Sequence, residues 1–294
     1  MKRIHAPHLG RSVVVGGRRR PAAPSDRTLR LRDYMAAGLK AGTLPTPPTS
    51  VDYSAKAKVA LANVYDNNSL GDCVIAGFYH VLGVATGNAS GSPFIASEAQ
   101  ILADYEAIGG YVPGNASTDN GCDELTALQY WQSHGAADGS KLAGWAQVDP
   151  SSLLELQTGL WLVGSLYFGF SLPDAWISPF PSDDSFVWDA AGDPDPENGH
   201  CVMSASYDAS AFGLATWGLY GKITAAAIAK YGADGAGGAV YVPLTPDWIA
   251  QGMASAPSGI DWATLQADLA LLCPPPSAPA SVPPSVPPAP PSAP

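Results

Sequence analysis

The stretch Asn67-Asn68-Ser69-Leu70-Gly71-Asp72-Cys73-Val74-Ile75-Ala76-Gly77-Phe78 decides how this chain is read. From Cys73 to Val84 the residues form an almost unbroken apolar segment, and Asp72, a favoured N-cap residue, stands just before it. The pattern predicts a buried helix that begins at the cysteine. Unpaired backbone N–H groups at a helix start stabilise a thiolate, which is the nucleophilic form of the side chain. Such a nucleophile needs a base nearby. Of the five histidines, His5 and His8 lie among the basic N-terminal residues, and His134 is expected to end a helix. His80 falls two turns along the cysteine's own helix, about 10 Å away, too far to act on its sulfur. His200, which opens a predicted strand after Asn198-Gly199, is left as the candidate base.

Around this stretch, the first half of the chain reads as helical and the second as strands. Ser97-Glu98-Ala99-Gln100 has capping-box spacing ahead of Ile101, Leu102 and Tyr105. Leu125, Leu128 and Trp131 recur at three-residue spacing after Asp123, with Gly135 where a C-cap is expected. Leu160 to Phe170, His200 to Tyr207, Phe212 to Trp217 and Ala239 to Leu244 are apolar or alternating runs between Gly, Pro and Asp clusters, and read as strands. Helices first and strands second argue for an α+β protein with two segregated lobes.

Charge divides the chain sharply. Residues 1–46 hold ten of the fifteen Lys and Arg against two acids, Asp26 and Asp33, a net +8, which leaves −19 on the remainder. Apart from one candidate helix, Leu31 to Leu39, this Arg-, Pro- and Gly-rich segment reads as a mobile arm or short prosegment. Residues 47–150 form the expected helical lobe and 151–273 the β-rich lobe. Residues 274–294 contain only Pro, Ser, Ala and Val, a tail that favours extended conformations and cannot build a core. An acidic body with a basic arm is not the pattern of a specific nucleic-acid binder. The longest apolar run, Gly159 to Leu172, is too short for a membrane span and reads as a buried strand region. No secretory-type apolar stretch precedes Arg18-Arg19-Arg20, so a cytoplasmic or particle-associated location with reduced thiols is expected.

Several segments together resemble the papain-like cysteine peptidase family. Asn67 to Cys73 is similar to the family's nucleophile segment, in which an oxyanion-hole amide side chain stands six residues before the cysteine. Val51-Asp52-Tyr53 resembles the start of the mature domain. Ser97 to Leu102 and Asn120-Gly121-Cys122-Asp123 are similar to the two following helix starts, and His200-Cys201-Val202 with Trp217-Gly218 resembles the histidine strand and the later Trp-Gly turn. His200 lies 127 residues after Cys73 and Thr216 lies 143 after it, near the family spacing of roughly 130–150. The resemblance runs from about Pro47 to Leu244. It departs from the family at Asn67, where glutamine is usual; at Leu70, which leaves Cys122 without its expected disulfide partner; at Asp72, whose charge should oppose a thiolate; at Val74, where an aromatic is usual; and at Thr216, which stands in place of the orienting asparagine.

The resemblance implies a two-lobed papain-like fold, with a helical N-terminal lobe, an antiparallel β-barrel-like C-terminal lobe and a cleft between them. It implies a cysteine-dependent peptidase or amide hydrolase acting on a peptide or protein substrate through an acyl-enzyme. Cys73 would be the nucleophile, His200 the base, Asn67 the oxyanion donor and Thr216 the residue that orients the imidazole, with Asp208 the weaker candidate for that last role. No cofactor or metal is expected. The acidic stretch from Asp183 to Glu197 is interrupted by prolines and lacks the spacing of a calcium loop. Cys122, Cys201 and Cys273 read as structural. The basic arm is expected to dock on its own acidic body or on an anionic partner. The alternative is a catalytically weak papain-like structural or binding protein, attached through arm and tail to an assembly such as a virion.

Overall fold

The computed structural model describes residues 1–21, 28–35 and 46–247. Part of the candidate helix Leu31 to Leu39, together with Cys273 and the Pro-rich tail, lies outside the described residues; residues 31–35 are helical.

The helix expected at the cysteine runs over Cys73–Ser90 (α1) and is buried through most of its length. Its start differs from expectation in one respect, because Asp72 occupies the N-cap position without donating or accepting a side-chain capping bond. Two further helices follow, Glu98–Gly109 (α2), with the Ser97/Gln100 capping box in place, and Glu124–Ser133 (α3), capped by Asp123. Tyr79 of α1 donates to Asp104 of α2 at 2.6 Å, and α3 packs on α1 through aromatic residues. Phe78 of α1 stacks on Trp131 of α3 at 3.6 Å between ring centroids.

Among the described residues, nine strands form one mostly antiparallel sheet. In chain order they are Leu29–Arg30 (β3), Val51–Asp52 (β4), Gly144–Gln147 (β5), Leu166–Ser171 (β6), Val187–Trp188 (β7), Gly199–Tyr207 (β8), Phe212–Thr216 (β9), Leu219–Ile223 (β10) and Ala239–Leu244 (β11). They lie in the order β3-β5-β11-β6-β8-β9-β10-β7, with β4 paired to β8. The central strands are buried on both faces, and their alternation sorts side chains into two cores. Tyr167, Cys201, Met203 and Tyr241 pack with α1 and the helical lobe, whereas Phe168, Phe170, Val202, Val240 and Val242 pack in the second core.

Two expectations fail. The apolar run from Gly159 is a strand only from Leu166; before that, Leu153–Val163 is a helix (α4), capped by Ser152 and ended by Gly164 in the left-handed region. The mobile arm fails for residues 1–21. Lys2–Ala6 (β1) and Arg11–Val15 (β2) form an antiparallel hairpin, with Val13 and Val15 buried in the second core. Three consecutive valines are too short a signal to oppose an Arg- and Gly-rich composition. They become a strand because β1 supplies a partner and the body supplies a surface. No helix among the described residues is long and apolar enough to cross a membrane.

Candidate active site

Cys73 is delivered by a loop held in unusual backbone geometry. Tyr65 and Asp66 both have positive φ (49° and 63°) just before Asn67, a conformation that costs about 1–3 kcal/mol in a non-glycine residue and is found where surroundings impose it. The loop is pinned from α1, since His80 Nε2 donates to the Asn63 carbonyl at 2.9 Å. Asn67 is buried, and its Nδ2 donates to the Leu70 carbonyl at 3.1 Å. Cys73 then begins α1, 1% exposed, with its sulfur facing the Cys201 backbone next door to His200.

The candidate base comes from the sheet. His200 lies on β8 opposite Phe170 of β6, and Thr216 ends the neighbouring strand β9. His200 Nε2 meets Thr216 Oγ1 at 2.8 Å. The Trp217 ring stacks on the imidazole at 3.8 Å and 8°, and Trp217 itself has φ 45°. With Nε2–H donating to the threonine, Nδ1 is the bare nitrogen, and it is buried without a hydrogen-bond partner. Asp208, the weaker candidate, is engaged elsewhere, by Lys222 at 2.7 Å and by its own turn. His200 and Thr216 are therefore in direct contact, and Cys73 lies beside the neighbouring residue Cys201 with no hydrogen bond to the imidazole.

Burial governs the ionisation of these groups. It lowers the His200 pKa to about 3, with His80 adding a smaller push in the same direction. Burial also raises the Cys73 thiol, partly opposed by the Cys201 backbone and reinforced by Asp72 and Glu124. Near neutral pH the pair is thus thiol and neutral imidazole. Asp72 is fully buried with both carboxyl oxygens unpartnered. Its own pKa is raised well above the carboxylate range, mainly by burial and then by Asp66, which reduces the charge expected beside Cys73.

The burial has a visible cause in residues 1–19, which lie along the cleft. Val14 N–H donates to the Asn67 carbonyl (3.2 Å), and the N–H groups of Gly16 and Arg18 both donate to the carbonyl of Gly199, the residue before His200 (3.1 and 3.2 Å). On the helical side, Arg19 N–H donates to the Cys122 carbonyl and Cys122 N–H to Gly17 (2.9 and 3.2 Å). His8 Nε2 donates to the Trp217 carbonyl at 2.9 Å, and Arg3 Nη2 to that of Ser69 at 2.9 Å. The main chain approaches so closely that a Cβ on Gly121, whose φ is +70°, would strike the Gly17 carbonyl, and one on Gly199 would strike that of Arg18.

Arg18, which composition places in an arm, sends its side chain inward. Its Nε donates to Glu124 Oε1 at 2.7 Å, with both side chains essentially buried, and its Nη1 donates to the Gly237 carbonyl. Sequence reasoning missed this pair because an arginine in a basic run and a glutamate in a helix's first turn both read as solvated. The described cysteines Cys73, Cys122 and Cys201 are free thiols. The acidic stretch is tied to its own surroundings, as where Asp184 accepts from Tyr220 N–H and Asp189 from Thr224.

No protein-family model matches the chain, and no curated protein matches it. Solved structures do. Xylellain, a cysteine protease from Xylella fastidiosa, superposes with a TM-score of 0.57 at 17% identity, over 79% of this chain and 96% of that one. The digestive procathepsin L2 proteinase of Tenebrio molitor larval midgut gives 0.53 at 17% identity, over 78% of each chain. Procathepsin B S9 from Trypanosoma congolense gives 0.51 at 12% identity, over 69% of this chain and 79% of that one. The fold is papain-like.

Proposed function

Given that papain-like fold, we propose that the chain is a cysteine-dependent peptidase or amide hydrolase held latent by its own N-terminal segment. The observation that carries the reading is the setting of His200. Its ring is fixed by Thr216 at one nitrogen and by Trp217 on one face, and the other nitrogen is buried without a hydrogen-bond partner. That arrangement suits a positioned base, in which a third group fixes the tautomer and leaves the working nitrogen free.

In the reaction, His200 Nδ1 takes the Cys73 thiol proton as the sulfur attacks the carbonyl carbon. The Cys73 backbone N–H and the Asn67 amide stabilise the oxyanion. The amide has two N–H bonds and spends one on Leu70. Collapse of the tetrahedral species breaks the C–N bond, and His200 passes the proton to the departing amine. Water, deprotonated by the same nitrogen, then cleaves the thioester and restores the thiol. Peptide main chain is the expected occupant of the cleft, since the groups lining it, the Gly199 and Cys122 carbonyls and the Cys122 N–H, already pair with a main chain in residues 16–19.

Latency follows from the ionisation state. With residues 1–19 in place the thiol and imidazole are buried and neutral; withdrawal of the segment admits water, which favours the ion pair. The scaffold reading has its own support in the raised Cys73 thiol and the unpartnered Asp72. Covalent labelling by a thiol-directed epoxide, with the modified residue mapped, separates the two. Labelling at Cys73 that is slow in the intact chain, accelerates when the segment's hold is weakened by Arg18→Ala, and falls at least about 10²-fold with His200→Ala supports the enzyme. Labelling at the rate of an ordinary free thiol in all variants leaves the body a scaffold.

A further inference from the structure

The Arg18 side chain occupies a closed compartment whose chemistry is specific. Glu124, at the start of α3, supplies the acid, the Gly237 carbonyl supplies an acceptor, and Cys201 and Tyr241 stand near the charges. Gly169 on β6 makes the room, because a Cβ there would collide with both the Glu124 carboxylate and the Arg18 guanidinium. Burial raises the Glu124 carboxyl above its ordinary range, and the Arg18 guanidinium in contact with it opposes that rise.

As a mere fastening this pair is a poor choice. A fully buried ion pair barely recovers its desolvation cost, and an apolar pair of similar volume holds a segment at least as well. Nor is the pairing optimal. It uses the single Nε–Oε1 contact, leaving Arg18 Nη2 and Glu124 Oε2 buried without partners, where a guanidinium entering end-on would make the stronger two-pronged contact. Arg18 behaves as a resident of a pocket that another arginine side chain would fit better.

We propose that the pocket formed by Glu124, Gly169 and the Gly237 carbonyl selects a guanidinium side chain of the substrate peptide, with Arg18 as its internal surrogate. This rests on the hydrolase reading for what the incoming chain is. Arg18 runs parallel to Cys122, but the pocket selects a side chain by charge and shape and imposes no direction on the main chain that carries it.

The test uses the full-length chain. In Arg18→Ala, ethylguanidinium is titrated while the thermal unfolding midpoint is followed, with propylammonium as a control that carries the charge without the planar fork. At ten times its dissociation constant, ethylguanidinium is expected to raise the midpoint by roughly 3–6 °C, with no comparable rise in wild type or in Arg18→Ala/Glu124→Gln. If Arg18→Ala is recovered unfolded, refolding in ethylguanidinium but not in propylammonium is the equivalent readout. Failure of ethylguanidinium to stabilise or rescue Arg18→Ala overturns the proposal. A second arm compares hydrolysis of peptide amides bearing Arg or Leu by Arg18→Ala. An Arg preference of at least about 10²-fold in kcat/KM, collapsing on addition of Glu124→Gln, is expected. Guanidinium binding without hydrolysis of either peptide removes the hydrolase reading and keeps the pocket; hydrolysis of both without preference removes the pocket and keeps the hydrolase.

Discussion

Two pairs of ionisable groups are buried along the same cleft, and they meet burial in opposite ways. Arg18 and Glu124 are in contact at 2.7 Å, and the Arg18 guanidinium is held charged by its partner. Cys73 and His200 are as deeply buried, but no hydrogen bond joins them, and both are driven to their neutral forms. Desolvation acts alike on the two pairs, so a partner in direct contact is what decides whether charge survives in the interior. The same N-terminal segment touches both, supplying Arg18 to one pair and donating main-chain N–H groups to Gly199 and Asn67 near the other. Breaking the first pair should therefore change the second.

The largest effect on stability is expected there. Arg18→Ala leaves Glu124 buried without its cation and should cost about 3–5 kcal/mol in denaturant unfolding, whereas Arg18→Met with Glu124→Leu should come within roughly 1–2 kcal/mol of wild type. A double variant as unstable as the single one would mean that the charges are needed for the fold itself, and the contrast between the two pairs would lose its basis.

Acid should expose the second pair. His80 is held neutral with its pKa lowered to about 4, mainly by burial, and His200 with its pKa lowered to about 3. Both titrate near 6.5 in the unfolded chain. Between about pH 6.5 and these folded values the unfolded chain binds protons that the native state refuses, so stability falls as pH falls. The contribution of His80 reaches about 3 kcal/mol at the acid end of that window. Asp72, with its pKa raised, has the opposite slope, so the informative quantity is the difference between wild type and His80→Gln. That difference should shrink steadily from pH 7 to pH 4; a difference independent of pH would show that His80 does not titrate across the unfolding transition.

Much of this was legible in the sequence where a local signal existed. Asp72 followed by an apolar run fixed the start of α1, Ser97 with Gln100 fixed α2, and the family resemblance, which sets Thr216 in the place of the orienting asparagine, implied the contact with His200 seen at 2.8 Å. The failures have two physical origins. Gly159 to Leu172 is apolar apart from Ser165 and Ser171, and a short apolar run has no period that separates helix from strand; Ser152 and Gly164, which bound the helix, are the better signals. The hairpin of residues 2–15 is held on the body by residues as distant in sequence as Asn67, Ser69 and Trp217, and Arg18 and Glu124 are 106 residues apart, so no window of sequence carries the signal for either. Asp72 stands at the expected N-cap position and opposes the Cys73 thiolate as its charge implies, while burial raises its own pKa.

Thr216 tests how finely the neutral pair is positioned. Thr216→Val removes the oxygen that meets His200 Nε2 while keeping the side chain's volume. If the Trp217 stack alone fixes the ring, turnover should be unchanged. If the hydroxyl sets the tautomer, turnover should drop by about one to two orders of magnitude, within the range that a positioned base contributes, with recovery in Thr216→Ser and little change in the unfolding midpoint. The second outcome is expected, because stacking holds the plane of the imidazole but does not choose which nitrogen carries the proton.

The smallest effect concerns the surface charges of the same segment. The net +8 of residues 1–46 facing a −19 remainder suggests a long-range, salt-sensitive attraction. The contacts point to a different balance. Lys2 reaches Asp174 and Asp195 only at 3.6 and 3.8 Å, and Arg20 meets Asp234 at 3.1 Å with both side chains largely exposed. Exposed pairs of this kind contribute about 0–1 kcal/mol and are screened by salt, whereas a buried pair is screened much less. Lys2→Ala should therefore raise the Cys73 labelling rate at most a few-fold at low ionic strength, and the difference should vanish near 0.5 M salt, roughly where screening shortens to a few ångströms. Arg18→Ala should raise it by far more, at any salt concentration. A Lys2→Ala effect as large as that of Arg18→Ala would place the hold of the segment in its surface charge and reverse the order of the two.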